Sequence, residues 1–473
     1  MTDKLHRYIE KFNADDEDIY SQHVKNSDAE EFLRDEIPLV DFPDKELEEV
    51  YYFRWWTFRK HIKMTEVGPV ITEFLPPVSW SGPYNTINCP ASFHIREGRW
   101  LRDKDGIVEN YIRFWLDGKG KADSYSSWLP HAVTEYCELK GEFSLAIEKL
   151  PQMIDFFRRR DEKSLHECGL YYSIDDRDGM EFSIGGSGFR PTASSYAYAD
   201  ALAIAKVADM AGEADIAAEF TAKAEKIKDA MEKYMWRGGF YRTIPFDPQG
   251  SVTFADALNV DDAHNVRELV GYIPWYFNIP PKGKETVFGL LRDESVFSAK
   301  YGLTTADMGH PRFMEKHDHD CLWNGPVWPF ATSQTLVAAA NMLRSYGECG
   351  FSKDDYYYLL RQYAESHRLT RDDGRVVRWI DEDMNPFDGV WEARRSLMNK
   401  PYDIYERGKD YNHSLFCDLV LSGLFGISVK DGRFTVDPMV PDTWEGFKVE
   451  NLWLDAKRYR VVWEKGKADV EEY

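Results

Sequence analysis

An all-α fold is what this sequence predicts: an (α/α)6 toroid of helical hairpins, closed by a small C-terminal β-appendage. Three observations carry that expectation. Helical periodicity returns repeatedly between residues 46 and 425. The joints between successive helices are short and contain Gly, which makes neighbouring helices antiparallel. After Gly426 the pattern switches to apolar–polar alternation with turn signals KDG and DAK.

Residues 1–44 are charged and loosely patterned and read as an N-terminal arm of short helices, with Tyr8, Phe12 and Phe32 free to dock on the main body. The barrel is expected over 45–426 and the appendage over 427–473. The barrel opens at 46–62, where Val50, Phe53 and Trp56 recur at helical spacing and Tyr52, Trp55 and Arg59 occupy adjoining rows. This aromatic stripe reads as core. Residues 67–102 are rich in Gly, Pro, Ser and Asn and read as one long loop. That loop carries Glu73, Trp80, Asn88, His94, Arg96, Glu97, Arg99 and Trp100, a polar and aromatic load suited to binding. Helices are expected at 110–116, 123–139 and 143–158. The pair 194–211 and 213–234 is joined by Gly212, and Ala197, Ala201, Ala205 and Ala208 share one face that permits close contact. Segments 266–276, 284–293, 326–345, 353–367 and 413–425 extend the series towards the twelve helices that six hairpins need. Short strands are expected at 427–429, 433–436, 446–449, 452–454 and 459–463.

Composition narrows the function. With 59 Lys and Arg against 81 Asp and Glu, the chain carries a formal charge of −22. Such a chain repels nucleic acid and anionic membrane, and neither is expected as a partner. Aromatic residues make up 15%, with 15 Trp and 27 Tyr, a supply that suits stacking against the C–H faces of sugar rings. The six cysteines form no CxxC pair, which argues against a disulfide scaffold or a zinc site and for buried thiols in a reducing compartment. The start MTDKLHRYIE has no apolar segment and no run of about 18 apolar residues follows, so a cytoplasmic location is expected. P-loop, GxGxxG, GxSxG and HExxH signatures are absent.

Several segments could carry chemistry. Glu406 lies in a polar, Gly-containing stretch just ahead of the apolar run 413–425, a placement that suits a general base; a salt bridge to Arg407 or Lys409 is the alternative. Residues 175–188 hold Asp175, Asp176, Asp178 and Glu181. Crowded carboxylates raise the pKa of one of them, which suits a general acid. A calcium loop would use Asp176 and Asp178, but Glu181 is spaced wrongly for an EF-hand, and a solvated acidic turn is the third reading. The HDHD run 317–320 reads as hydrogen-bonding residues, and no metal or cofactor is expected. It leads into CLWNGPVWPF, where Gly325 and Pro326 turn the chain into a helix between Trp323 and Trp328, a stacking wall. Trp391, after Asp388-Gly389, is a further stacking candidate.

These segments resemble those of (α/α)6-barrel glycoside hydrolases: family 63 glucosidases, the trehalase clan and mannosylglycerate-hydrolase-like enzymes. CLWNGPVWPF is similar to their YWRGPVWxxxN-type segment. An acidic loop precedes YAYADALAIAKVA, a late YE segment precedes the closing helix, and the β-end is of the VDPxxPxxW kind. The resemblance covers roughly residues 45–465. It implies an inverting glycosidase acting on a small oligosaccharide or glycoside. Asp178 would be the acid and Glu406 the base, with carboxyls roughly 6.5–9.5 Å apart to admit water. Glu181 competes for the acid role because DRDGMEFSIGG replaces the SGxDN frame, and Asn324 stands where the motif has Arg. Trp80, Trp323 and Trp328 would stack on sugar; His94, Arg96, Arg190 and Asn324 would bind hydroxyls. The loop 72–103 also looks like that of arabinofuranosidase-like relatives, which admits a pentose. Two rival readings stand beside this one. The first is a sugar isomerase, epimerase or lyase using a pair drawn from His94, His131, His310, His317, His319 and His413. The second is a non-catalytic carbohydrate-binding barrel.

Overall fold

The computed structural model describes residues 1–250, 252–400 and 406–473; Tyr405, at the head of the late segment, lies outside the described residues. Among the described residues an inner ring of helical segments runs Ala91–Gly98, Leu129–Lys140, Pro191–Met210, Leu269–Tyr272 continued by Ile273–Tyr276, Pro329–Ser345, and a π-helical turn Leu419–Leu424. Each packs on the next. The ring closes between its last and first members through Glu97. Its carboxylate accepts from the backbone N–H groups of Phe416 (3.0 Å), Cys417 (2.8 Å) and Asp418 (2.8 Å), so one helix supplies the cap for another helix start. Outside this ring lie Lys45–Lys60, Ile107–Leu116, Leu150–Ser164, Ala214–Tyr234, Glu285–Arg292 and Lys353–Ser366. The fold is therefore the (α/α)6 toroid that the periodicity predicts.

The two rings differ in sequence for a physical reason. Pro191–Met210 and Pro329–Ser345 are buried almost all round and built from Ala, Ser and Thr, which let neighbouring backbones approach. Ala214–Tyr234 buries only one stripe. Pro stands in the first turn of Leu129–Lys140, Pro191–Met210, Ile273–Tyr276 and Pro329–Ser345, where its missing N–H costs no hydrogen bond.

Residues 1–44 are more tightly built in than an arm. Helices Thr2–Asp15 and Ala29–Glu36 cover Lys45–Lys60, which explains why that outer helix is buried on both sides. Lys60 Nζ is buried between Asp16 (2.9 Å) and Asp410 (2.6 Å). Leu39–Asp41 pairs antiparallel with Gly446–Leu454, which continues through Lys457–Glu464 to Lys467–Glu472 in one four-stranded sheet. The hairpin Ile427–Lys430 and Arg433–Val436 links that sheet to the barrel.

Several expected elements change. The loop expected over 67–102 contains the fully buried helix Ala91–Gly98, preceded by the hairpin Ile62–Thr65 and Gly68–Ile71. Its polar residues find partners inside the ring, so no apolar stripe announces it. Residues 123–128 are not helical. The segment 143–158 breaks at Lys149 into Ser144–Glu148 and Leu150–Ser164. The run 413–425 is helical over 417–424, for the most part as a π-turn beside Tyr356. The Tyr356 hydroxyl donates to Leu419 O at 3.0 Å, and a Cβ on Gly423 would lie 2.0 Å from that hydroxyl.

Candidate active site

A cavity of about 300 Å³ opens at the end of the toroid where inner segments begin. Cys89 lines it just ahead of Ala91–Gly98, Tyr125 ahead of Leu129–Lys140, and Trp328 as the residue before Pro329–Ser345. Helix starts leave N–H groups unpaired and carry partial positive charge. Five carboxyl groups gather at this end: Glu73, Asp176, Glu181, Asp320 and Glu382.

Three of them sit in contrasting surroundings. Glu181 follows a left-handed turn at Gly179 and forms no ion pair among the described residues. Burial pushes its pKa up to about 7, and Asp176, Glu382 and Asp175 add to the rise. Its backbone carbonyl accepts from Trp323 N at 3.0 Å, which ties the acidic loop to the tryptophan wall. Glu382 faces the Arg407 guanidinium, with Nε 2.8 Å from Oε1 and Nη2 3.1 Å from Oε2, and the Cys321 thiol donates to Oε2 at 2.8 Å. Gly408 lets this pair close up, because a Cβ there would lie 1.8 Å from Asp381 Oδ1. Glu73 accepts from the Tyr411 hydroxyl at 2.5 Å, and burial pushes it up to about 8. The Tyr411 ring lies 3.7 Å, centroid to centroid, from the ring of His413, whose two nitrogens are buried without a hydrogen-bond partner. Burial holds His413 well below the usual histidine range, so it is neutral.

Trp323 and Trp328 both line the cavity and stack on each other, centroids 4.2 Å apart and planes within 13°. Trp80 stands at the mouth, 46% exposed, with the Arg407 guanidinium 5.2 Å from its ring centre. All three were candidates for stacking on sequence grounds.

The remaining candidates lie elsewhere. Asp178 is buried behind the cavity lining. Its carboxylate accepts from Arg190 Nε (2.6 Å), from the Thr192 hydroxyl and from Ser173 Oγ (3.1 Å). Arg190 also donates to Ser183 Oγ (2.9 Å) and Gly186 O (2.6 Å). This buried ion pair clamps the acidic loop to the start of Pro191–Met210, and Arg190 is not among the cavity residues. Glu406 also lies outside the lining: Arg394 donates to its Oε1 at 2.7 Å, while its Oε2 is buried without a partner. Its neighbour Arg407 does reach the cavity. His94 is a core histidine between the Tyr111 hydroxyl (2.9 Å) and Asn412 O (2.5 Å), lowered by burial to about 4. Arg96 pairs with Asp418 and Glu135, each at 2.8 Å, inside the ring. Asn324 donates to Glu315 O at 2.7 Å, and Trp391 Nε1 to Arg368 O at 2.9 Å. Each of these was expected to touch sugar and here has a hydrogen-bond partner within the protein.

The acids of the loop point to different surroundings. Asp175 receives Ser187 Oγ at 3.0 Å, Asp178 faces Arg190 and Glu181 faces the cavity. Among the described residues, no three His, Cys, Asp or Glu side chains converge on a metal position. Of the histidines, His131 is half-buried beside Glu135 (3.5 Å), while His319 and His413 line the cavity. Sequence reasoning missed Glu382, Arg407 and Tyr411 as cavity residues. The signal available for Glu382 was WIDEDM, an acidic run set between apolar residues, which solvent-facing acids seldom show.

With this geometry in place, comparison with known proteins gives consistent results. The family described as mannosylglycerate hydrolase MGH1-like glycoside hydrolase domain matches residues 83–414. A solved chain titled "Sialidase" superposes with a TM-score of 0.88 at 32% identity, covering all of this chain and 43% of its own length. This chain thus spans less than half the length of that relative. A GH63 mannosylglycerate hydrolase from Thermus thermophilus, in complex with glucose, aligns at 13% identity over 74% of this chain and 98% of its own, with a TM-score of 0.52. A GH78 rhamnosidase from a Bacillus species aligns at 12% identity over 92% of this chain and 41% of its own, with a TM-score of 0.60. The last two likenesses show the fold alone. No curated protein matches the chain. Among the described residues no helix is long and apolar enough to cross a membrane.

Proposed function

The chain belongs to the mannosylglycerate hydrolase MGH1-like glycoside hydrolase family, and we propose that it cleaves the glycosidic bond of a small oligosaccharide or glycoside with inversion at the anomeric carbon. One observation carries the assignment of roles. Glu181 and Glu382 share a cavity in opposite settings, the first half-buried, with no ion-pair partner among the described residues and held up to about 7, the second against a guanidinium. Two carboxyl groups placed in contrasting environments are the mark of an acid and a base.

In this reading Glu181, protonated near neutral pH, delivers its proton to the departing glycosidic oxygen. Glu382, held against the Arg407 guanidinium, takes a proton from the water that attacks the opposite face of the sugar. Arg407 orients Glu382, and the Trp323–Trp328 pair offers its flat face to the ring being cleaved. Protonated Glu73 and the Tyr411 hydroxyl supply hydrogen bonds to sugar hydroxyls. The acid role thus moves from Asp178, whose acceptor positions are engaged with Arg190, Thr192 and Ser173, to Glu181. A second reading keeps Glu406 as the base, because its Oε2 is buried without a partner and it adjoins Arg407. Six free thiols support a reducing compartment, and hence the cytoplasm.

The test is turnover of nitrophenyl glycosides (gluco, manno, galacto, rhamno, arabinofuranosyl), with the anomer of the first product read by NMR. Glu181→Gln is expected to lower kcat by about a hundred- to ten-thousand-fold. Wild-type kcat/KM is expected to fall as pH rises through about 7, because the acid loses its proton there; the variant loses that limb. Loss of activity in Glu382→Gln with retention in Glu406→Gln assigns the base to Glu382, and the reverse assigns it to Glu406. Retained activity in both Glu181→Gln and Glu382→Gln would overturn the reading.

A further inference from the structure

Immediately after Glu181 the chain does something costly. Phe182 has φ +59°, the left-handed region that a bulky L residue seldom adopts, and its ring is 40% exposed. That reversal lets Glu181 face the cavity while the next side chain turns outward, beside His319. One face of the Phe182 ring is covered by His317, centroids 4.5 Å apart and planes within 26°. The ring of His319, itself a cavity residue, lies 5.4 Å away. His317 is in turn held 3.7 Å from Glu315. An aromatic ring stacked on one imidazole and still 40% exposed is a platform.

We propose that the Phe182–His317 stack is the binding surface for the leaving group, and that it selects a leaving group with a ring, such as a second sugar, over a short acyclic alcohol. The inference rests on Glu181 as the proton donor. A general acid must lie beside the oxygen that departs, so the surface next to it contacts what that oxygen carries away. The ring being cleaved is accounted for deeper in the cavity by Trp323 and Trp328. The exposed part of the Phe182 ring is flat apolar area of the kind that the C–H face of a pyranose covers. A three-carbon acid or alcohol has no such face and gains nothing from the platform.

The experiment compares two substrates with the same sugar at the cleaved position: a disaccharide with glucose as leaving group and the methyl glycoside, each as mannoside, glucoside and rhamnoside. Both leaving groups are alcohols that need the acid, and only one brings a ring. Phe182→Leu, which keeps bulk without a flat face, is expected to lower kcat/KM for the disaccharide at least tenfold and to leave the methyl glycoside within twofold. Phe182→Tyr is expected to keep the wild-type ratio. An unchanged ratio in Phe182→Leu, or an equal fall on both substrates, overturns the platform; an equal fall would make Phe182 a support for the Glu181 loop. Glu181→Gln run in parallel separates the two levels. Its loss on both substrates upholds the acid, so an unchanged ratio then counts against Phe182 alone, whereas retained turnover overturns the acid and the platform with it.

Discussion

Glu73 shows how a single residue couples the site to stability. Its carboxyl is buried beside the Tyr411 hydroxyl with its pKa raised from the ordinary 4.5 to about 8. Between those two values the folded protein holds a proton that the unfolded chain has released. The folded state therefore binds more protons, and stability falls as pH rises from about 4.5 to about 8. Glu73→Gln cannot titrate and still offers an oxygen to Tyr411. The drop in melting temperature between about pH 5 and about pH 8 is expected to be smaller in Glu73→Gln than in wild type, by roughly 2–4 °C. Equal drops in the two proteins would show that Glu73 ionises in the folded state as it does in water. At this scale the sequence named the residue as part of a polar loop, but the raised pKa is a consequence of burial, which no local pattern reveals.

At the scale of elements, the acidic loop 175–188 is the instructive case. The sequence showed four acids and could not rank them, because they lie within seven positions of one another. The fold separates them by giving them different surroundings. Asp178 is consumed in clamping the loop to the start of Pro191–Met210, and Glu181, three residues on, is left in the cavity. Asp178→Asn removes the charge opposite a fully buried guanidinium. Breaking such a pair costs roughly 3–5 kcal/mol. The variant is expected to unfold at markedly lower denaturant concentration, while residual folded protein keeps the wild-type pH profile. A pH profile that loses its alkaline limb in Asp178→Asn, with stability unchanged, would return the acid role to Asp178. Helix Ala91–Gly98 makes the same point from the other side. His94, Arg96 and Glu97 looked like binding residues because they are polar, yet they hold the inner ring together.

For the whole molecule, the N-terminal segment decides whether the toroid is complete. Leu39–Asp41 covers one edge of the terminal sheet, and Asp16 is buried against both Lys60 and Lys409. Removing residues 1–44 would expose the edge of Gly446–Leu454 and leave two buried ammonium groups short of a counter-ion. The truncated chain is expected to be insoluble or to lose its cooperative thermal transition; a soluble, active product with an unchanged melting temperature would show that the segment is dispensable.

What the sequence determined by itself follows from periodicity and composition: the helical toroid, the strand-rich end after Gly426, the Trp323–Trp328 pair and the two segments that approach the cavity. Those properties are local, because helix spacing, Gly and Pro punctuation and turn chemistry act within a few residues. Only the tertiary structure decided which carboxyls meet. Glu73, Glu181 and Glu382 lie far apart in the chain and share one cavity. Whether a carboxyl lies in that cavity, against Arg190 or against Arg394 depends on how the rings close around it. Burial and pairing, which set protonation, are properties of the assembled toroid and of no single stretch of its sequence.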